Sequence, residues 1–327
     1  MHISPIRQRF AVGYVLQVLA AVLIATAGTA FAQSSPRVVT FGDSFSDSGN
    51  AFDFVKSNAT PPGYGMGITL IPEAPYARNG HHLTNGPTWA ELLADAAGAP
   101  QNAQPAFRSS NPRAMNFAIA TARARGAAGD PGPNLAMEVA AFLVKTDNIA
   151  PADALYIVEF GANDVGDALD APNPVAALAI LNNAVAAMVD AIVTLRNAGA
   201  KTFLITNVAN AGLSPAVRIL DVLQPGTAAA AATVTTIFNG LLAAALAPLP
   251  PALGITIVPF DGHALFQDLV ANPGAAGLEN VTDACLTPDT APFVCRTPDR
   301  YLYWDGVHPT AAVHALVAGA VAALLGF

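Results

Sequence analysis

Four short apolar runs constrain the fold of this chain more than any other feature. Residues 38–41, 155–160, 202–206 and 255–260 are dominated by Val, Ile, Leu, Phe and Tyr. Near-continuous apolar runs of this length suit strands buried on both faces, and hence a parallel sheet. A weaker fifth run occupies 114–119. Helical patterns lie between the runs. Asn173 and Pro174 supply an N-cap and a first helical residue, and apolar positions continue from there to Gly199, a stop signal. Thr227 opens a second helix running to about Ala247. Thr310 caps a third, whose Val313, Leu316, Val317, Val321 and Leu324 recur at helical spacing. Strands alternating with helices predict an α/β domain with helices on both faces of the sheet. In such sheets chemistry collects at the carboxyl ends of the strands.

Composition narrows the class. Of 327 residues 53% are hydrophobic and 12% charged, with a net charge of −8. That is too apolar for a disordered chain, and it leaves no basic excess for a nucleic-acid partner. A polytopic membrane protein is disfavoured, because apolar runs after residue 36 are short and broken by Pro, Gly, Asn or Asp. The N-terminus is a separate matter. Arg7 and Arg9 precede an uncharged stretch from Phe10 to Pro36, and Ala30-Phe31-Ala32 offers small residues before Gln33. This predicts a signal peptide over residues 1–32, cleaved after Ala32, and a secreted or periplasmic protein. The alternative is an uncleaved anchor. No linker or repeat divides the remainder, so 33–327 is read as a single domain.

The two cysteines, Cys285 and Cys295, stand ten residues apart among turn formers. In an exported chain an even pair reads as a disulfide, worth about 3 kcal/mol by loop-closure entropy. The rival is a metal site, which two Cys with no nearby His do not complete. No metal and no cofactor is expected.

Each strand end carries polar residues: Gly42-Asp43-Ser44, Gly161-Ala162-Asn163-Asp164, and, before the last helix, Asp305-Gly306-Val307-His308-Pro309. Singly, each is ordinary turn chemistry. Together they contain what acyl transfer needs. A serine nucleophile requires a base within hydrogen-bond reach, a carboxylate to orient that base, and donors for the developing oxyanion. Ser44, His308, Asp305 and the Asn163 carboxamide supply these parts. There is no Gly-x-Ser-x-Gly elbow, which argues against the ordinary α/β-hydrolase arrangement.

These three blocks, in this order, resemble the first, third and fifth blocks of the GDSL or SGNH hydrolases. The stretches Leu83-Thr84-Asn85-Gly86-Pro87-Thr88-Trp89 and Asn280-Val281-Thr282-Asp283-Ala284-Cys285-Leu286 are similar to parts of its secreted bacterial esterases and lipases. The resemblance covers residues 36–327. It implies a flavodoxin-like three-layer α/β/α fold and hydrolysis of carboxylic esters through an acyl-serine intermediate. Ser44 would be the nucleophile, His308 the base and Asp305 its orienter. The Ser44 N–H, the Asn163 side chain and a third backbone N–H would form the oxyanion hole. The third donor is where this sequence departs. The family's second block usually reads Asn-Phe-Ala-x-Gly-Gly-Ala, whereas here it reads Asn116-Phe117-Ala118-Ile119-Ala120-Thr121-Ala122. Thr121 is assigned as the donor, with a loop reshaped towards Gly126 as the alternative. A Cβ at this position restricts the dihedrals that glycine adopts freely.

Other candidates read as structural. His81-His82 form a surface loop pair rather than metal ligands, His263 and His314 are structural, His314 as a packing or surface residue, and Asp164 caps or braces the Asn163 loop rather than acting as an acid. Gly63, Gly65 and Gly67 are not framed as a phosphate loop. Asn58-Ala59-Thr60 and Asn280-Val281-Thr282 match the glycosylation pattern only. Two long irregular stretches, 57–88 and 272–303, are long enough to be functional. Within the first, Tyr64, Met66, Ile68, Leu70 and Ile71 make 61–75 either domain packing or an acyl-chain groove. Expected partners are small-molecule or lipid acyl esters, with transient contact at lipid surfaces. A phospholipase or acyltransferase would use the same triad, and a catalytically degraded secreted binding protein is the reading from outside the enzymes.

Overall fold

In a computed structural model, strands form where the apolar runs lie. The structure describes residues 38–55, 82–107, 109–126, 132–286 and 291–327. The signal segment, His81, the Asn58 acceptor, the glycines at 63–67 and the apolar stretch 61–75 lie outside these residues.

Strands β1 (Val38–Gly42), β2 (Leu155–Glu159), β3 (Thr202–Thr206) and β4 (Thr256–Phe260) form one parallel sheet in that order. Val38 pairs with Leu155, Leu155 with Thr202 and Thr202 with Thr256. The fifth run, 114–119, lies parallel along the free edge of β1, bonded through Thr40 N to Met115 O at 3.0 Å, Phe117 N to Thr40 O at 2.7 Å and Ile119 N to Gly42 O at 3.0 Å. Counting it as a strand, the chain order across the sheet is 2-1-3-4-5, so connections leave β1 in opposite directions. That reversal opens a crevice at the carboxyl end of β1.

β1 and β2 are buried throughout, as the apolar runs predict, whereas β4 is half-exposed. The difference has a plain cause. β4 is the edge strand, and it carries Pro259, which cannot donate to a further neighbour.

Alternate strand residues feed two cores. Val39, Phe41, Tyr156, Val158, Phe203 and Ile205 face one layer, made by α3 (Leu135–Lys145), α5 (Pro174–Ala198) and α7 (Thr227–Leu246). Val38, Leu155, Ile157 and Leu204 face the other, made by α2 (Trp89–Ala96), α9 (Gly262–Ala271) and α10 (Ala311–Leu325). The architecture is three-layer α/β/α. The Asn173 side chain accepts from Ala176 N to start α5, Gly199 ends it, and Thr310 caps α10. α5 is long and apolar enough to cross a bilayer, yet it lays Leu181, Val185, Met188, Ile192 and Leu195 on the sheet. Short helices α1 (Asn50–Val55), α4 (Ala162–Leu169), α6 (Pro215–Leu223) and α8 (Leu249–Leu253) complete the α-helices among the described residues.

The stretch 272–303 is less irregular than its composition suggests. β5 (Asn280–Ala284) pairs in parallel with β6 (Tyr301–Tyr303), and the Cys285–Cys295 disulfide closes the turn beyond β5. Cys285 N donates to Tyr303 O and Leu286 N to Trp304 O, so the disulfide loop braces the chain entering Asp305.

Candidate active site

The carboxyl ends of β1 and β2 and the turn before α10 meet at one edge of the sheet. After β1 the backbone turns tightly, with Asp43 O accepting from Ser46 N and Asp47 N, each at 3.1 Å. Asp43 Oδ1 accepts from Phe45 N at 3.0 Å. Ser44 is thereby left half-exposed on the crest of the turn while Asp43 is buried beneath it. His308 Nε2 lies 2.8 Å from Ser44 Oγ, and His308 Nδ1 lies 2.7 Å from Asp305 Oδ2. The other Asp305 oxygen accepts from Val307 N at 2.8 Å and His308 N at 2.7 Å. One carboxylate therefore shapes the turn and orients the ring. Burial alone would lower the His308 pKa, but the charge and hydrogen bond of Asp305, aided by Asp43, raise it above the ordinary 6.5.

Asn163 sits in the first turn of α4, set by Gly161. At φ 122° and with Phe238 ring atoms 2.4 Å from where a Cβ would stand, only glycine fits there. Asn163 Nδ2 donates to Ala122 O at 2.8 Å and approaches Asp43 Oδ2 at 3.4 Å. The carboxamide is thus held between the Ser44 turn and the second block, with the contact to Asp43 the longer of the two. The Asn163 contact with Ala122 also brings the second block to the site. Thr121 adopts φ 70°, in the left-handed region that favours glycine. For a β-branched residue that conformation costs about 1–2 kcal/mol. Strain of this kind collects at functional sites.

Behind Ser44 lies a group of buried acids that sequence reasoning missed. Glu159, the last residue of β2, accepts from Ser46 Oγ at 3.0 Å, and Ser46 Oγ in turn accepts from Trp89 Nε1 at 3.1 Å. Burial and the neighbouring Asp43 charge push Glu159 well above the usual carboxylate range, and burial lifts Asp43 to about 6. Burial also raises Glu138, against the pull of the Gly42 N–H, and raises Asp47 against four backbone donors. The available signal was an acid closing a doubly buried run in a chain so poor in charge.

The block 83–89 ties these parts together. Thr84 Oγ1 donates to Pro309 O at 2.8 Å, and Asn85 Oδ1 accepts from Ala311 N at 2.7 Å. Trp89 N donates to His314 Nδ1 at 3.1 Å. The segment thus bridges the Ser44 turn and the His308 turn. His314 is buried, a packing rather than a surface residue, and its pKa is pushed down to about 3 by burial and by the charges of His308 and His82. Asp164 accepts from Ala124 N at 2.8 Å and so ties α4 to the chain that follows the second block. His263 is half-buried among Val208 O, Asn239 and Gln267. His82 corrects the surface reading: it is buried, with Nε2 2.9 Å from Glu91 Oε2, a carboxylate already engaged in the capping box of α2. Among the described residues no group of three or more His, Cys, Asp or Glu could hold a metal ion.

A doubly wound parallel sheet that lines up a serine, a histidine and an aspartate at its carboxyl edge defines a class: three-layer α/β/α proteins built like serine hydrolases. Within that class the chain belongs to the GDSL-like lipase/acylhydrolase family, whose family model matches residues 38–321. Thermolabile hemolysin of Vibrio parahaemolyticus is 26% identical over 86% of this chain, which spans only 62% of the hemolysin. A GDSL esterase/lipase of Arabidopsis thaliana is 26% identical, covering 84% of this chain and 86% of the plant protein. A solved acetylxylan esterase mutant from Geobacillus stearothermophilus superposes with a TM-score of 0.45 at 16% identity, over 90% of this chain and 95% of that one.

Proposed function

We propose that the chain is an exported serine esterase or lipase, acting as a single domain of residues 33–327 after loss of residues 1–32. One observation carries the reading: the unbroken hydrogen-bond chain from Ser44 Oγ through the His308 ring to Asp305, at 2.8 and 2.7 Å. Ser44 Oγ attacks the acyl carbon of a carboxylic ester as His308 Nε2 takes its proton. Asp305 holds the ring tautomer and stabilises the imidazolium. The tetrahedral oxyanion is held by the Ser44 N–H, the Asn163 carboxamide and the Thr121 N–H. His308 then returns the proton to the leaving alcohol, giving an acyl-serine, and a water activated by His308 releases the acid.

The feature that speaks for a catalytically degraded binding protein is the altered second block, with Ala120 and Thr121 where the family usually carries glycines. That support weakens, because Thr121 keeps the backbone conformation of a glycine. Substrates are small-molecule or lipid acyl esters, consistent with membership of a lipase/acylhydrolase family. The test is turnover of p-nitrophenyl esters of increasing acyl length by the mature chain beside Ser44→Ala. Turnover lost in the variant is the expected result. Turnover unchanged in the variant, or absent on every ester in the wild type, overturns the reading.

A further inference from the structure

The turn Ile119-Ala120-Thr121-Ala122 has its backbone donors accounted for one by one. Ile119 N donates to Glu138 Oε1 at 3.2 Å as well as to Gly42 O. Ala120 N donates to Asp47 Oδ2 at 2.8 Å, and Ala122 N to Ile119 O at 3.0 Å. Among the described residues only the Thr121 N–H of this turn donates to nothing in the chain. The two carboxylates are anchored elsewhere by further amides. Glu138, from α3, takes Gly42 N on Oε2 at 3.0 Å, two residues before Ser44. Asp47 takes Gly49 N and Asn50 N on Oδ1, each at 2.7 Å, and Ala51 N on Oδ2 at 3.0 Å. Both carboxylates are buried, Glu138 at 0% and Asp47 at 2% exposure. Hydrogen bonds to buried acceptors hold geometry firmly, because losing one leaves a buried amide donor unsatisfied.

We infer that Glu138 and Asp47 are positioning residues that clamp this turn from both sides, holding Thr121 in a glycine-like conformation with its N–H free for the oxyanion. The inference rests on the acyl-serine reading above and explains how the turn dispenses with the family's glycines. A lone threonine would relax to negative φ and swing its N–H away. With Ile119 N and Ala120 N pinned before Thr121 and Ala122 N closed onto Ile119 O after it, that relaxation is opposed on both sides. Glu138 also spans from the Ser44 strand to the turn, so one side chain sets the spacing between two of the three oxyanion donors.

The test is a cycle of Glu138→Gln, Thr121→Gly and the double variant. A glutamine keeps one acceptor and turns an N–H against the other amide, so it opens one arm of the clamp. Glu138→Gln is expected to lower kcat on a p-nitrophenyl ester about 10- to 100-fold, part of the loss expected when one oxyanion donor is removed, with KM within about twofold. Affinity for a trifluoromethyl ketone, whose hemiketal oxygen occupies the oxyanion position, should fall in parallel. The double variant should keep most of the kcat of Thr121→Gly alone, because glycine needs no clamp. Unchanged kcat in Glu138→Gln overturns the inference, as does an equal fold-loss when Glu138→Gln is added to Thr121→Gly. If Glu138→Gln does not accumulate as folded protein, Asp47→Asn takes its place in the same cycle with the same criteria. Failure of the parent reading is separately visible, since Ser44→Ala would then retain turnover.

Discussion

His308 Nε2 and Ser44 Oγ are 2.8 Å apart although 264 residues separate them in sequence. Chain topology accounts for the meeting. β1 delivers Ser44 to the carboxyl edge of the sheet, and the cap of α10 delivers His308 to the same edge. The 83–89 block holds the second to the first through Thr84 and Pro309. Removing either end of the pair should abolish the chemistry. Ser44→Ala and His308→Ala are each expected to lower kcat on the order of 10⁴-fold or more, and Asp305→Ala less, since the orienter costs less than the base. Steady-state kinetics on one p-nitrophenyl ester, with circular dichroism to check folding, decide it.

The pH profile follows from the same ring. His308 must be neutral to accept the Ser44 proton, and its pKa lies above 6.5 because of Asp305 and Asp43. Activity is therefore lost as pH falls through a value above 6.5. Asp305→Asn removes the larger raising charge and should shift the acid limb of kcat/KM to lower pH. Asp43→Asn should shift it by a smaller step. An acid limb in the wild type that is unmoved by either change would contradict the assignment.

Glu159 supplies a stability prediction of opposite character. Its pKa is raised by burial and by Asp43, so the native state holds a proton that the unfolded chain releases. Stability from this group is complete below the ordinary 4.5 and is lost as pH rises through the higher native value. Glu159→Gln keeps an acceptor for Ser46 and abolishes the ionisation. The drop in melting temperature between pH 5 and pH 8 should be smaller in the variant than in the wild type. Equal drops would show that Glu159 does not titrate in this range.

Much of this was legible in the sequence, and the exceptions have physical causes. Strand runs, the Asn173–Pro174 start and the Thr310 cap read directly from periodicity and turn chemistry, whereas Ser44, Asn163, Asp305 and His308 stand out only as a combination and through the family resemblance. The exposure of β4 was hidden, since an apolar run does not reveal which strand lies at an edge. The order in 272–303 was hidden because β5 and β6 gain their regularity from pairing with each other. The buried acids were least legible. Glu138, Asp47 and Glu159 look like surface residues until the fold shows which backbone donors they satisfy.

The disulfide should matter to stability more than to chemistry. Cys285 and Cys295 brace the approach to Asp305 from outside the hydrogen-bonded chain of Ser44, His308 and Asp305. Replacing both with Ala should cost about 3 kcal/mol, or roughly 5–10 °C in melting temperature. Activity below the melting transition should stay within about threefold, allowing for modest loosening of a supporting shell. Calorimetry with a parallel esterase assay separates the two effects.

Covalent labelling of Ser44 bears most directly on the central claim. Diethyl p-nitrophenyl phosphate offers a phosphorus centre for the nucleophile to attack, releasing p-nitrophenolate and leaving a stable diethylphosphoryl serine. Peptide mass spectrometry should find one adduct, on Ser44, formed in step with the loss of esterase activity and with one equivalent of p-nitrophenolate. Full inactivation with Ser44 unmodified, or ester hydrolysis that persists unchanged in Ser44→Ala, would contradict the account.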